Sequence, residues 1–77
     1  MNKERRKTLS AIADAVSAQR EALQEVLDEE QEAFDALSEA QQEGERGEAM
    51  QAVIDSLTEA VDGLDNVAVA LEELAGG

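Results

Sequence analysis

The chain of 77 residues contains no cysteine, histidine, proline, tryptophan or tyrosine. Without cysteine there are no disulfides and no zinc–thiolate sites. Without histidine there is no imidazole ligand, no base for a serine nucleophile and no Glu-x-x-His pair for a di-iron bundle. Ser10, Ser17, Ser38 and Ser56 therefore have nothing to activate them. Carboxylates are plentiful, but two thin helices offer no pocket that would desolvate one of them selectively. The segment DGLDN at 62–66 lacks the ligand order and terminal glutamate of a calcium loop. The reading is a non-enzyme with no cofactor and no metal.

Long apolar runs are missing too. The longest, Val67–Leu71, falls far short of the roughly 20 residues a membrane span needs. The basic start, Lys3 to Lys7, leads into alternating polar and apolar residues rather than a signal-peptide core. The expectation is a soluble protein of the bacterial cytoplasm with no membrane partner.

What remains is helix-forming: Ala, Glu, Leu and Gln dominate. Apolar residues recur at Leu9, Ile12/Ala13, Val16, Leu23, Val26/Leu27, Ala33/Phe34 and Leu37, in steps of three and four that mark one helical face. A second series runs Met50, Val53/Ile54, Leu57, Ala60/Val61, Leu64, Val67/Ala68, Leu71 and Leu74. Met50, Leu57, Leu64 and Leu71 make an unbroken heptad row, the pattern of coiled-coil packing. The first stripe has two polar breaks, at Gln19/Arg20 and Glu30/Gln31. The plain reading is that they snorkel at a rim or fix register, and the sharper one is that Glu30 faces a partner. Phe34 reads as a core plug.

Between the stripes, Ser38 and Gln41 have capping-box spacing. Gly44 suits either a left-handed C-cap or the N-cap of the second helix. Gly47 has no evident helical purpose and reads as exposed backbone beside Arg46. Gly63, inside the second helix, reads as room for a neighbouring helix. Asn2 or Thr8 can cap the first helix, but the basic residues there oppose the dipole, and residues 1–5 are expected to fray.

These signals predict an all-α single domain over 1–77, an antiparallel two-helix hairpin with helix one at about 4–37, a corner at 38–47 and helix two at about 46–75. Of 33 apolar residues 14 are alanine, so the core is thin. Small scaffolds compensate by oligomerising. Two hairpins pairing as a homodimeric four-helix bundle are the expected remedy, with Met50, Ile54, Leu57, Val61, Leu64 and Leu71 in the dimer core. The basic Lys3–Lys7 segment would lie against an acidic face of the other copy.

Charge is the strongest functional signal. Residues 1–20 carry five basic and two acidic side chains, residues 21–77 one basic and seventeen acidic, for a net −13. Such a body repels nucleic acid and attracts basic proteins. Glu21, Glu25, Asp28, Glu29, Glu32, Asp35, Glu39 and Glu43 are spaced as one ridge along helix one, with Arg46 at the adjoining corner. These are the candidate partner-binding residues. Their linear charge density is close to that of a nucleic-acid strand; plain solubility also explains part of it.

The run from Leu27 to Asn66, above all EEQEAFD (29–35) and ERGEAM (45–50), resembles small acidic helical proteins of bacterial phages and mobile elements. The resemblance implies a phage-like setting, in which small acidic proteins block host nucleic-acid-binding or defence proteins. The leading expectation is an acidic helical protein that binds a basic, nucleic-acid-binding host protein, as a nucleic-acid mimic and inhibitor. The alternative is an adaptor coiled coil whose main activity is homodimerisation or assembly.

Overall fold

A computed structural model describes all 77 residues. Three helices follow one another: α1, Lys3–Asp35; α2, Glu39–Glu43; and α3, Glu45–Gly76. α1 and α3 pack along their length and α2 packs on α3, in a rod of 58 × 14 × 12 Å. Arg20 reaches Asp65, and Arg6, Lys7 and Ser10 border Glu72, Ala75 and Gly76, so the long helices run antiparallel.

Each apolar doublet divides the same way. The second members, Ala13, Leu27 and Phe34 on α1 and Ile54, Val61 and Ala68 on α3, turn into the seam as buried or half-buried residues. The first members, Ile12, Val26 and Ala33, with Val53, Ala60 and Val67, stay exposed. The covered positions on α1 are Arg6, Leu9, Ala13, Val16, Arg20, Leu23, Leu27, Glu30 and Phe34, with Ser17 and Gln24 half-covered along one flank of them. On α3 they are Gly47, Met50, Ile54, Leu57, Val61, Leu64, Ala68, Leu71 and Ala75. Both series alternate steps of three and four, a strict heptad seam. The Arg20–Asp65 register aligns Ala13 with Leu71, Leu23 with Val61, Leu27 with Leu57 and Phe34 with Met50.

The residues expected to form a dimer core thus first serve the single chain. Ile54 and Val61 are buried within it, while Met50, Leu57, Leu64 and Leu71 are half-buried along the seam. Only five residues are buried and no large side chain is fully so, which leaves the seam partly wet.

The start of α1 is helical from Lys3, where fraying through residue 5 was expected. Asn2 caps it, its Oδ1 accepting from the Arg5 N–H at 2.8 Å, while Thr8 instead bonds back to the Glu4 carbonyl. The basic residues that oppose the α1 dipole have a compensating neighbour. The last turn of α3 holds no basic residue, and Arg6 and Lys7 lie beside that helix end. Cations there offset the negative end of the α3 dipole. The basic segment is therefore part of the hairpin's own end rather than a free overhang.

α1 stops at Asp35, two residues short of expectation, because another side chain closes it. Gln42 Nε2 donates to the Phe34 carbonyl at 3.1 Å, which also accepts from Leu37 N–H, and to the Leu37 carbonyl at 3.4 Å, adding donors where the helix end leaves carbonyls without an intrahelical partner. The expected capping box is present: Ser38 Oγ accepts from Gln41 N–H and Gln41 Oε1 accepts from Ser38 N–H. Gly44 ends α2 and begins α3 at once, with extended rather than left-handed backbone.

Gly47 corrects the sequence reading. It is buried, and a Cβ there would overlap the backbone of Gln42. Glycine is required because α2 crosses directly over α3 at that point. Gly63 has open space around it, so no helix of the same chain uses the room it leaves.

Candidate functional site: an acidic side of the hairpin

The heptad seam gives the hairpin two unlike sides. Seven residues apart on α1 stand Asp14, Glu21, Asp28 and Asp35, and on α3 Glu48, Asp55 and Asp62. All seven are exposed and adjoin the side on which Arg20 meets Asp65. The same register brings Glu21 level with Asp62, Asp28 with Asp55, and Asp35 with Glu48. Successive levels are about 10.5 Å apart at helical rise. The result is two rows of carboxylates along one side of a rod.

Glu25, Glu29 and Glu32 lie farther round α1 and are exposed. With Glu21, Asp28 and Asp35 they place six exposed acids over about 21 Å, a mean step of roughly 4 Å. A DNA strand spaces its phosphates by about 3.4 Å. The ridge is shorter than the sequence reading had it. Glu39 and Glu43 are exposed but belong to α2, past the break at Ala36–Ser38, so they do not continue the α1 line.

Few of these charges are answered within the chain. Gln24, Gln31 and Gln51 each donate a 3.0 Å hydrogen bond to the acid four residues on: Asp28, Asp35 and Asp55. The one ion pair is Arg20 Nε to Asp65 Oδ1 at 3.4 Å, a charge contact without hydrogen-bond alignment, since that Nε has no hydrogen-bond partner. Arg46 is exposed and forms no ion pair with Glu43 or Glu45.

The polar breaks in the first stripe resolve into one inner and one outer residue each. Arg20 and Glu30 occupy seam positions and are half-buried, while Gln19 and Gln31 are exposed. Arg20 pairs across the seam, as a register-fixing residue does. Glu30 has no ion-pair or hydrogen-bond partner.

The grooves on the rod are shallow and open, and no cluster of acids converges to hold a metal ion. No helix is long and apolar enough to cross a membrane. The sequence reading placed partner binding on helix one and the corner and missed Asp14, Glu48, Asp55 and Asp62. Their signal was a seven-residue spacing like that of Glu21, Asp28 and Asp35. Comparison with family models, curated proteins and solved structures returns no match.

Proposed function

We propose that this chain is a non-enzymatic interaction module whose acidic side binds a basic protein. One observation carries the reading: two rows of exposed carboxylates, matched at three levels, run along the hairpin, and the one ion pair of the chain, Arg20–Asp65, neutralises none of them. Like charges four residues apart on a helix cost a few tenths of a kcal/mol each. Glu21 and Glu25, and Asp28 and Glu32, are so spaced on α1, and a binding role repays that cost when a cationic groove closes over them.

The spacing along α1 favours a groove built for a phosphate backbone, which makes a nucleic-acid-binding protein the fitting partner and mimicry the mode. Inhibition follows, because an occupied groove excludes nucleic acid. A phage-encoded setting in a bacterial host rests on the sequence resemblance alone.

The test is affinity capture from bacterial lysate at low and high salt, with double-stranded DNA as competitor. Basic nucleic-acid-binding proteins should be retained at low salt and released by both salt and DNA, since exposed charge contacts are screened beyond about 8–10 Å at physiological ionic strength. Retention of neutral or acidic proteins that neither treatment releases would overturn the reading.

A further inference from the structure

We infer that a second copy of this chain covers the side of the hairpin opposite the carboxylate rows, head to tail. The inference does not rest on the basic-partner reading, because it concerns the face opposite the two carboxylate rows; of the acids named above only Glu29 lies on it.

Seven large apolar residues are exposed, and five of them, Ile12, Val26, Val53, Val67 and Leu74, fall on that one side. They are the outer members of the apolar doublets, with Leu74 continuing the seven-residue row of Val53, Ala60 and Val67. Between the first and last of them Glu29 is the sole ionisable side chain, on a chain in which 25 of 77 residues are charged. A shallow groove bordered by Val26 and Leu64 opens here, so the half-buried seam is reachable from this face. Contiguous apolar surface of this kind is uncommon on a protein that stays alone. A copy laid over it would complete the burial that one hairpin leaves unfinished.

The dimensions fit a self-complementary partner. A face 58 Å long and 12–14 Å wide offers about 700–800 Å² per copy, the area of a standard stable interface. Gly63 lies midway along this face with open space above it, which lets a helix of the second copy approach closely. A partner of matching length and matching apolar rows is present at equal concentration by construction, and a twofold axis makes the patch complementary to itself.

Charge fixes the orientation. The end holding the termini, residues 1–10 and 70–77, has four basic and three acidic side chains. The corner end, residues 28–55, has ten acidic and one basic. Side-by-side copies in parallel would stack the two acidic corners within a screening length. Head to tail, each corner meets the basic start of α1 of the other copy.

Sedimentation equilibrium of the intact chain at high micromolar concentration should give twice 8.2 kDa. Val26→Glu and Val67→Glu should each return it to the monomer mass with unchanged helical circular dichroism, because both side chains are about half exposed in the single hairpin. Val53→Glu serves as the second variant if either fails to fold. The absence of cysteine makes single-cysteine cross-linking clean. Gln19→Cys, at the midpoint of α1, should self-cross-link with a short bifunctional maleimide. Thr8→Cys, which head-to-tail packing holds about 33 Å from its copy, should not. A monomeric intact chain, or dimers that survive all three glutamate variants, overturns the inference. Cross-linking through Thr8→Cys but not Gln19→Cys overturns the head-to-tail arrangement.

Discussion

Arg20 and Asp65 meet across the seam, Nε 3.4 Å from Oδ1, and are the one ion pair linking α1 to α3. The Asp65 side chain is 61% exposed, so solvent screens the attraction and the pair contributes under about 1 kcal/mol. Its larger role is register, since a polar seam position penalises any slip that would face it with another apolar layer. Arg20→Leu should raise the stability of the hairpin by about 1 kcal/mol, because the seam gains an apolar residue for a weak pair. Asp65→Asn should change it by less than about 1 kcal/mol. Urea unfolding midpoints at constant slope read both values. A large loss in Arg20→Leu would show that the pair holds the helices together.

The two interior glycines of α3 should respond oppositely to alanine. At Gly47 the added Cβ overlaps the Gln42 backbone, which has no flexible end to yield, so Gly47→Ala should cost about 1–3 kcal/mol. At Gly63 nothing lies within 4 Å, so Gly63→Ala should stabilise by about 0.5–1 kcal/mol through helix propensity. The comparison belongs in the Val26→Glu background, which isolates the single hairpin. Equal effects at the two positions would contradict the crossing of α2 over α3.

Gln42 supplies what the end of α1 lacks. α1 has no basic residue in its last turn, and the Gln42 amide adds a second donor to the Phe34 carbonyl, which also accepts from Leu37 N–H, and one to the Leu37 carbonyl. Gln42→Ala should destabilise the hairpin by about 1 kcal/mol, and Ser38→Ala by a similar amount through the lost cap. Hydrogen exchange at amides 36–44 should accelerate in both, more than at the middle of α1. Unchanged protection at the corner would mean that packing alone sets the turn.

Within the seam, burial ranks the costs of truncation. Ile54 is 5% exposed, whereas Leu57 is half-buried. Ile54→Ala should therefore cost more than Leu57→Ala, within the range of about 2–5 kcal/mol for deep core truncations. Thermal unfolding of both variants at one concentration gives the order. A reversed order would place the true centre of packing nearer the open side of the seam.

How much could be read from the chain alone divides along physical lines. The helices, the Ser38–Gln41 box and the break at Gly44 were legible because propensity and capping are local. The inner and outer members of doublets such as Ile12/Ala13 and Val53/Ile54 were not separable. In one helix alone both members lie on the apolar face, and only the partner helix selects the strict heptad. Gly47 was misjudged for the same reason: its need for glycine comes from the Gln42 backbone, and the capping box and Gly44 mark the turn without showing how closely it folds α2 onto α3. The acidic side was half legible. The α1 acids stood out by density, whereas Asp55 and Asp62 join them only once the antiparallel register is known.

The acidic side supports a last prediction, on function. Glu21, Glu25 and Glu32 are exposed, form no ion pair, and lie away from the apolar face. Their triple reversal to lysine should leave helix content unchanged, because none of them packs in the seam. It changes the net charge of the chain by six and breaks the run of acids on α1. Capture of a basic partner should be lost, mainly through slower association, since steering depends on the summed field. Deleting residues 1–7 serves as the contrast, because it removes the basic end and leaves every carboxylate of the two rows. Surface plasmon resonance against a captured basic protein separates the two rate constants. Binding that survives the reversal and disappears with the deletion would move the activity to the basic end and leave the acidic rows as a solvated face.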